Sequence, residues 1–285
     1  RAIAQGSTER NISIVVDTSD VPEALRALHR AFFDRPIDRC IQVFCAGVGQ
    51  VGREFLGQWM KTKSTFEAEL GGEIKLVGLA NSTSYVMDAN GLEPDANALL
   101  DSGCARSASD ATEVLHAFHA LPGRRKIWVD NSAADAVADA GIEALKLGMG
   151  YVCSNKISAT RSLADWNVLQ ESGARFKNET NVGAALPILH GLRSMLETGD
   201  RIKRIEAVLS GSVNYIFSSM DGGQNFSNAV RSAGQKGYTE PDARIDLSGM
   251  DVARKILILA RMCGAEVTME DVQVKGFLPE AAFAG

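Results

Sequence analysis

Apolar runs of strand length alternate with stretches of helical spacing, a glycine-rich turn joins the first such run to its helix, and the pattern changes near Ala174. Together these predict an α/β protein, a Rossmann-type domain followed by an α+β domain. At 285 residues the chain exceeds one ordinary small core and fits two domains. Its 45% hydrophobic and 23% charged residues exclude wholesale disorder. A net charge of −5 offers no general attraction to nucleic acid or to an anionic membrane. No apolar run approaches the roughly 20 residues of a membrane span, and no signal-peptide core is expected at the N-terminus. Cys40, Cys45, Cys104, Cys153 and Cys263 are scattered without a CxxC pair, which predicts reduced thiols and a cytoplasmic protein. His116 and His119 are the closely spaced histidines; without a third ligand beside them they read as a solvent-facing or edge-of-core pair on a helix.

The first element expected is a strand over Ile12 to Val16, followed by capping residues in "DTSD" and a helix with Leu25, Leu28 and Phe32 at helical spacing. One strand and one helix cannot bury a core alone, so residues 1–33 read as a piece of a further domain. "FDRPIDR" makes residues 34–40 a linker.

Residues 41–150 form the expected dinucleotide-binding domain. Ile41 to Ala46 suit a strand buried on both faces, and Ile74 to Ala80 suit its parallel neighbour. Between them lies Gly47-x-Gly49-x-x-Gly52, then a helix with Val51, Phe55, Leu56 and Trp59 on its apolar side. Gly47 allows a tight turn, Gly49 lets backbone approach a pyrophosphate, and Gly52 allows close helix–strand packing. Val48, Gln50 and Val51 complete the anion-facing turn. The second strand ends in Ala80, Asn81, Ser82 and Thr83, without the acid that usually meets an NAD ribose. NADP is thereby permitted, and NAD stays open. A helix over "DATEVLHAFHAL" leads to the strand "KIWVD", whose end carries Asp130, Asn131 and Ser132 where ligands meet an open sheet. A helix from about Asp135 to Leu147 and a strand in "GYVCSNKISA" follow. Lys156, after that strand, is either a surface lysine or a functional cation.

Residues 151–285 read as the second domain. "ARFKNETNVGAALPILHGL" predicts a strand, a small-residue turn and a helix. Ile202, Ile205, Ala207 and Leu209 predict a strand of alternating faces before a helix opened by Gly211 and Ser212, and "DVQVKGFLPE" a further strand. "GYTEPDARIDLSGMDVARK" gathers Glu240, Asp246, Asp251 and Lys255 at a turn running into a helix. Asp251 and Lys255 share a helix face. They form either a surface ion pair or, with Glu240, a carboxylate–ammonium cluster able to hold a polar substrate and move a proton.

That stretch, with "NETNVGAALPI", "LSGSVNYIF", "SNKISA" and "GVGQVG", resembles homoserine dehydrogenase, and these motifs stand in family order from about Ile41 onward. The leading "IAQGSTERNISIVV" is similar to the tail of the regulatory ACT region of bifunctional aspartokinase–homoserine dehydrogenases. The resemblance implies reversible NAD(P)H-dependent reduction of aspartate β-semialdehyde to homoserine, in threonine and methionine biosynthesis. It also implies a substrate and dimerisation role for the second domain, and a homodimer or higher oligomer. It makes Lys255 the catalytic lysine and Lys156 the second lysine near the carbonyl. Glu240 and Asp251 would hold the substrate, with Asp246 in the same motif, while Gly47 to Gly52, Asn81, Ser132 and Lys156 would line the cofactor. Glu179 and the carbonyls of Val182, Ala184 and Leu186 would hold sodium or potassium. Three departures follow. Ala243 stands where the family has proline, which should loosen that turn. "GAA" replaces "GAG", so Ala185 must keep a negative φ or strain the loop. Family members are expected to continue beyond "LPEAAFAG", which makes this sequence C-terminally incomplete by resemblance.

Overall fold

The computed structural model describes residues 2–5, 12–33, 40–93, 106–107, 110–239, 242–276 and 278. Strand β1 (Ala2–Gln5) pairs antiparallel with β2 (Ile12–Val15), and helix α1 (Val21–Phe33) follows. No described residue of this piece belongs to a buried core cluster. Leu25 is 61% exposed, so one apolar face of α1 is uncovered.

The centre of the molecule is a seven-stranded sheet. Its strands are β3 (Cys40–Ala46), β4 (Glu73–Ala80), β5 (Ser84–Met87), β6 (Arg106–Ser107), β7 (Arg125–Asp130), β8 (Gly150–Cys153) and β9 (Phe176–Lys177). They lie in the order β6-β5-β4-β3-β7-β8-β9. From β4 to β9 all neighbours are parallel, while β5 and β6 add an antiparallel edge. The chain leaves β3 toward β4 and later returns to its other side with β7. That reversal opens a crevice at the carboxyl ends of β3 and β7, where an open α/β sheet binds ligands.

The strands are apolar on both sides because both faces are covered. Val43 and Cys45 of β3 enter one buried cluster with Leu56 of helix α2 (Gln50–Leu70). Phe44 and Ala46, one residue out of phase, enter the other, with Leu115 of α3 (Ala111–Ala120) and Leu145 of α4 (Asp135–Lys146). Phe44 stacks on Trp128 at 4.8 Å between ring centroids. Period-two alternation thus divides one strand between two cores.

The sheet runs beyond the expected boundary at residue 150, because β8 and β9 extend it in parallel register. After β8 come α5 (Ile157–Thr160) and α6 (Leu163–Glu171). After β9 come α7 (Ile188–Glu197), α8 (Gly211–Asp221), α9 (Phe226–Gln235), α10 (Ala243–Leu247) and α11 (Met250–Met262). Ile216, Ala229, Ala233 and Leu247 make a separate small core between α8, α9 and α10.

Two expected strands are corrected. Residues 201–210 and 272–276 carry no strand pairing among the described residues. Ile202, Ile205 and Leu209 still pack partly on the main core. Alternation therefore reported a half-buried segment correctly, but a strand also needs a neighbouring backbone to accept its hydrogen bonds. Among the described residues no helix is long and apolar enough to cross a membrane.

Candidate active site

The glycine turn sits where β3 ends. Gly47 N donates to Ala80 O at 2.8 Å and Asn131 N donates to Ala46 O at 2.8 Å, which ties the ends of β3, β4 and β7 together. Gly47 has φ 92° and is packed so closely that an added Cβ would lie 2.7 Å from Ser132 N. A Cβ on Gly52 would lie 2.0 Å from Gly47 O. These two positions accept only glycine, for conformation at the first and for packing at the second. Gly49 differs: a Cβ there would meet nothing within 4 Å. Gly49 caps α2 without a side-chain hydrogen bond, so this turn has open space facing helix N–H groups, as an anion requires.

Asn81 is occupied within its own turn, its Oδ1 accepting from Thr83 N at 2.9 Å and Ser84 N at 2.7 Å. Ser132 donates through N and Oγ to Asp130 Oδ1 at 2.9 and 2.7 Å. Asp130 is fully buried, and burial pushes its carboxyl up from the usual range while its hydrogen bonds oppose the shift.

The two predicted lysines meet on one carboxylate. Lys156, at the start of α5, places Nζ 3.2 Å from Asp251 Oδ1. Lys255, one turn along α11 from Asp251, places Nζ 2.6 Å from Oδ2. Lys255 Nζ also donates to Leu209 O at 2.6 Å. Next to Leu209, Ser210 Oγ lies 3.0 Å from Ser212 Oγ, which donates to Asp246 Oδ1 at 2.9 Å. Asp246 and Gln50 of the glycine turn line one cavity of about 730 Å³, together with Arg231, Tyr238 and Thr239. The glycine turn and the charged passage thus face a common space. Glu240 lies outside the described residues. Ala243 opens α10, and Asp242 caps it by accepting from Arg244 N at 2.9 Å.

Burial pushes the Asp251 carboxyl up, but the Lys255 hydrogen bond and the Lys156 and Lys255 charges outweigh it and hold it below the ordinary value. A lowered folded pKa means stability that is present above the unfolded value, about 3.9, and lost as pH falls further. The melting-temperature gap between the parent and Asp251→Asn is therefore expected to hold above about pH 4 and to shrink below it. A gap unchanged in stronger acid would dissociate Asp251 from the cluster.

Arg261 aligns the two lysine-bearing helices. It is 3% exposed, donates through Nη1 to Ala159 O of α5 at 3.0 Å and through Nε to Val267 O at 2.9 Å. Sequence reading passed it over, although a signal existed: Ala253, Leu257 and Arg261 form a buried stripe at four-residue spacing. An arginine on a core stripe needs buried acceptors.

The expected cation loop begins with a 3-10 turn, Glu179–Asn181. Glu179 Oε1 accepts from His190 N at 3.0 Å, and Leu186 O accepts from Ile188 N at 2.8 Å. Asn181 Nδ2 donates to the carbonyls of Cys153 and Asn155 at 3.3 and 3.4 Å, linking this loop to the Lys156 segment. Gly183 has φ 85° and Ala184 φ 50°. Ala185 does not take a positive φ, which meets the first of its two expected alternatives; the left-handed alanine is its neighbour Ala184, whose conformation the sequence did not single out. Among the described residues no cluster of His, Cys, Asp and Glu could hold a metal, and His116 and His119 are both exposed.

A family model described as homoserine dehydrogenase matches residues 187–282, and one described as an ACT domain matches residues 1–32. A bifunctional aspartokinase/homoserine dehydrogenase of Haemophilus influenzae is 40% identical over 283 residues, covering 98% of this chain and 34% of the relative. The chain thus carries a homoserine dehydrogenase family domain at residues 187–282. A second family relative, the bifunctional aspartokinase/homoserine dehydrogenase 2 of Zea mays, is 35% identical over 286 residues, covering 98% of this chain and 31% of its own length. The chain spans about a third of the length of these curated relatives. Among solved structures, a hyperthermophilic archaeal homoserine dehydrogenase in complex with NADPH has TM-score 0.67 at 23% identity. The match covers 82% of this chain and 75% of that one, and supports the common fold.

Proposed function

We propose that this chain carries out the reversible NAD(P)H-dependent reduction of aspartate β-semialdehyde to homoserine, in threonine and methionine biosynthesis within a bifunctional aspartokinase–homoserine dehydrogenase. The observation that carries the reading is the meeting of Lys156 and Lys255 on Asp251, while Asp246 of the same charged passage lines a cavity shared with Gln50 of the glycine turn.

Gly47, Gly49 and Gly52, the N-terminus of α2 and Ser132 would hold the dinucleotide. The open space at Gly49 and the uncapped helix end fit a pyrophosphate. No acid stands at Asn81 to repel a 2′-phosphate, which favours NADP over NAD. Bound NAD(P)H supplies a hydride to the aldehyde carbon. The protein must meet the negative charge that grows on the oxygen. An ammonium has three donors, and two of those on Lys255 are engaged by Asp251 and Leu209 among the described residues. The third is available to stabilise the oxygen and protonate it. Asp251 keeps both ammonium groups together, and Asp246 and Glu240 would receive the polar ends of a zwitterionic substrate.

Glu179 and the carbonyls of Val182, Ala184 and Leu186 would hold sodium or potassium, since oxygen donors suit a hard cation. Self-association as a homodimer or larger oligomer belongs to this reading, supported by Val208, 79% exposed in a segment that lacks a ladder partner among the described residues. The free thiols at Cys40, Cys45, Cys153 and Cys263 suit a reducing compartment such as the cytoplasm.

The test is NADPH and NADH oxidation by the full-length protein with aspartate semialdehyde, in sodium, potassium and tetramethylammonium salts. Turnover that is faster with NADPH and reduced in tetramethylammonium is expected. Cofactor binding without turnover of this substrate would overturn the reaction. Equal rates in all three salts would remove the cation.

A further inference from the structure

We propose that Asp130 is a positioning residue that serves the cofactor turn with one carboxylate oxygen and Lys156 with the other. This rests on the function proposed above. Oδ1 takes both donors of Ser132, N at 2.9 Å and Oγ at 2.7 Å. Ser132 N in turn packs where a Cβ on Gly47 would lie, at 2.7 Å. Oδ2 takes Asn155 Nδ2 at 2.9 Å and Tyr151 OH at 3.3 Å.

Asn155 transmits the second contact. It is 4% exposed, and its Nδ2 also donates to Ala134 O at 3.1 Å. Its Oδ1 accepts from Ile157 N at 3.0 Å, so the side chain bridges over the intervening Lys156. That bridge sets the direction in which Lys156 leaves the backbone at the head of α5, toward Asp251 at 3.2 Å. An amide held by both ends cannot rotate without losing a bond, which makes the Lys156 backbone depend on Oδ2.

A carboxylate suits the centre because all four partners donate to it, and it accepts on both oxygens. In Asp130→Asn the remaining oxygen keeps the two Ser132 donors, while the new NH2 faces the NH2 of Asn155. Tyr151 can turn its hydroxyl to accept; Asn155 cannot do so without giving up Ile157. The Lys156 arm should therefore fail first. Adding Asn155→Asp places one oxygen opposite the new donor and keeps the other for Ile157 N, while giving up the bond to Ala134 O.

The experiment compares the parent, Asp130→Asn and the double variant Asp130→Asn/Asn155→Asp in the full-length protein. It measures turnover at saturating NADPH, NADPH affinity by fluorescence, and labelling of Lys156 by an amine-reactive probe read by mass spectrometry. Asp130→Asn should lower turnover at least about tenfold, since a displacement of about 1 Å can cost about a hundredfold. It should leave NADPH affinity close to the parent's and raise Lys156 labelling as the ammonium leaves Asp251. The double variant should recover a large part of both losses. Turnover and labelling unchanged in a folded Asp130→Asn protein overturn the proposal. Should Asp130→Asn fail to fold, Asn155→Ala must lower turnover while sparing NADPH affinity; equal losses in both overturn it. If the parent binds NADPH but shows no turnover, the reaction assignment falls, while the labelling response still decides the role of Asp130.

Discussion

Replacing Lys255 with alanine is expected to lower turnover by about 10²–10³, or about 2.7–4 kcal/mol of transition-state stabilisation, while NADPH affinity stays near the parent's. The ammonium lies 2.6 Å from Asp251 Oδ2 and 2.6 Å from Leu209 O, and is held by the fold before any substrate arrives. Its charge matters most when the substrate oxygen becomes negative, so the loss should fall on kcat more than on cofactor binding. Lys156 remains beside Asp251 in the variant, which spares that carboxylate from being left unpaired. A melting curve close to the parent's makes the kinetic loss attributable to chemistry. A folded variant with near-parent turnover would reduce Lys255 to an ion-pair residue and return the site to Lys156 alone.

Gly49→Val and Gly52→Ala are expected to fail in opposite ways, although they lie three residues apart. Gly49 has φ −67°, which any residue adopts, and an added Cβ meets nothing. Valine should therefore fold there and fill the space kept for phosphate oxygens, at a cost of about 3 kcal/mol or about a hundredfold in NADPH affinity. Alanine at Gly52 puts its Cβ 2.0 Å from a backbone oxygen that has no rotamer to escape into. Overpacking of that kind costs about 1–3 kcal/mol or more, so this variant should melt several degrees lower. Fluorescence titration with NADPH and thermal melting separate the two. Unchanged affinity in folded Gly49→Val would remove the pyrophosphate from this turn.

The glycine turn was legible because everything that makes it is local: a buried strand, three glycines at fixed spacing and a helix with Leu56 on its inner side. The Asp251–Lys255 pair was legible for the same reason, since four residues on a helix decide a contact. What the sequence hid was non-local. β8 and β9 were each expected as strands, but their place in the central sheet was not readable, because their parallel pairing joins segments that lie apart. Residues 202–209 alternate like a strand, but alternation reports which face is buried and says nothing about a backbone neighbour. Asp130 looks like any strand-end acid until the donors around it are known. That Ala184 shares the left-handed turn with Gly183 was not legible, because a left-handed alanine has no local sequence signal.

The clamp from Arg261 to Ala159 spans 102 residues of sequence, and it joins the two segments that supply the lysines. Closing so long a loop is entropically late, since distant contacts repay their ordering only after the intervening chain is in place. The glycine turn depends on a shorter separation: the Gly47–Ala80 hydrogen bond, across 33 residues, ties it to the end of β4. During refolding, nucleotide recognition should therefore return before catalysis, passing through a species that holds the dinucleotide while its second lysine is still adrift. A ligand that binds that early species would act as a folding template for the half that completes the reaction.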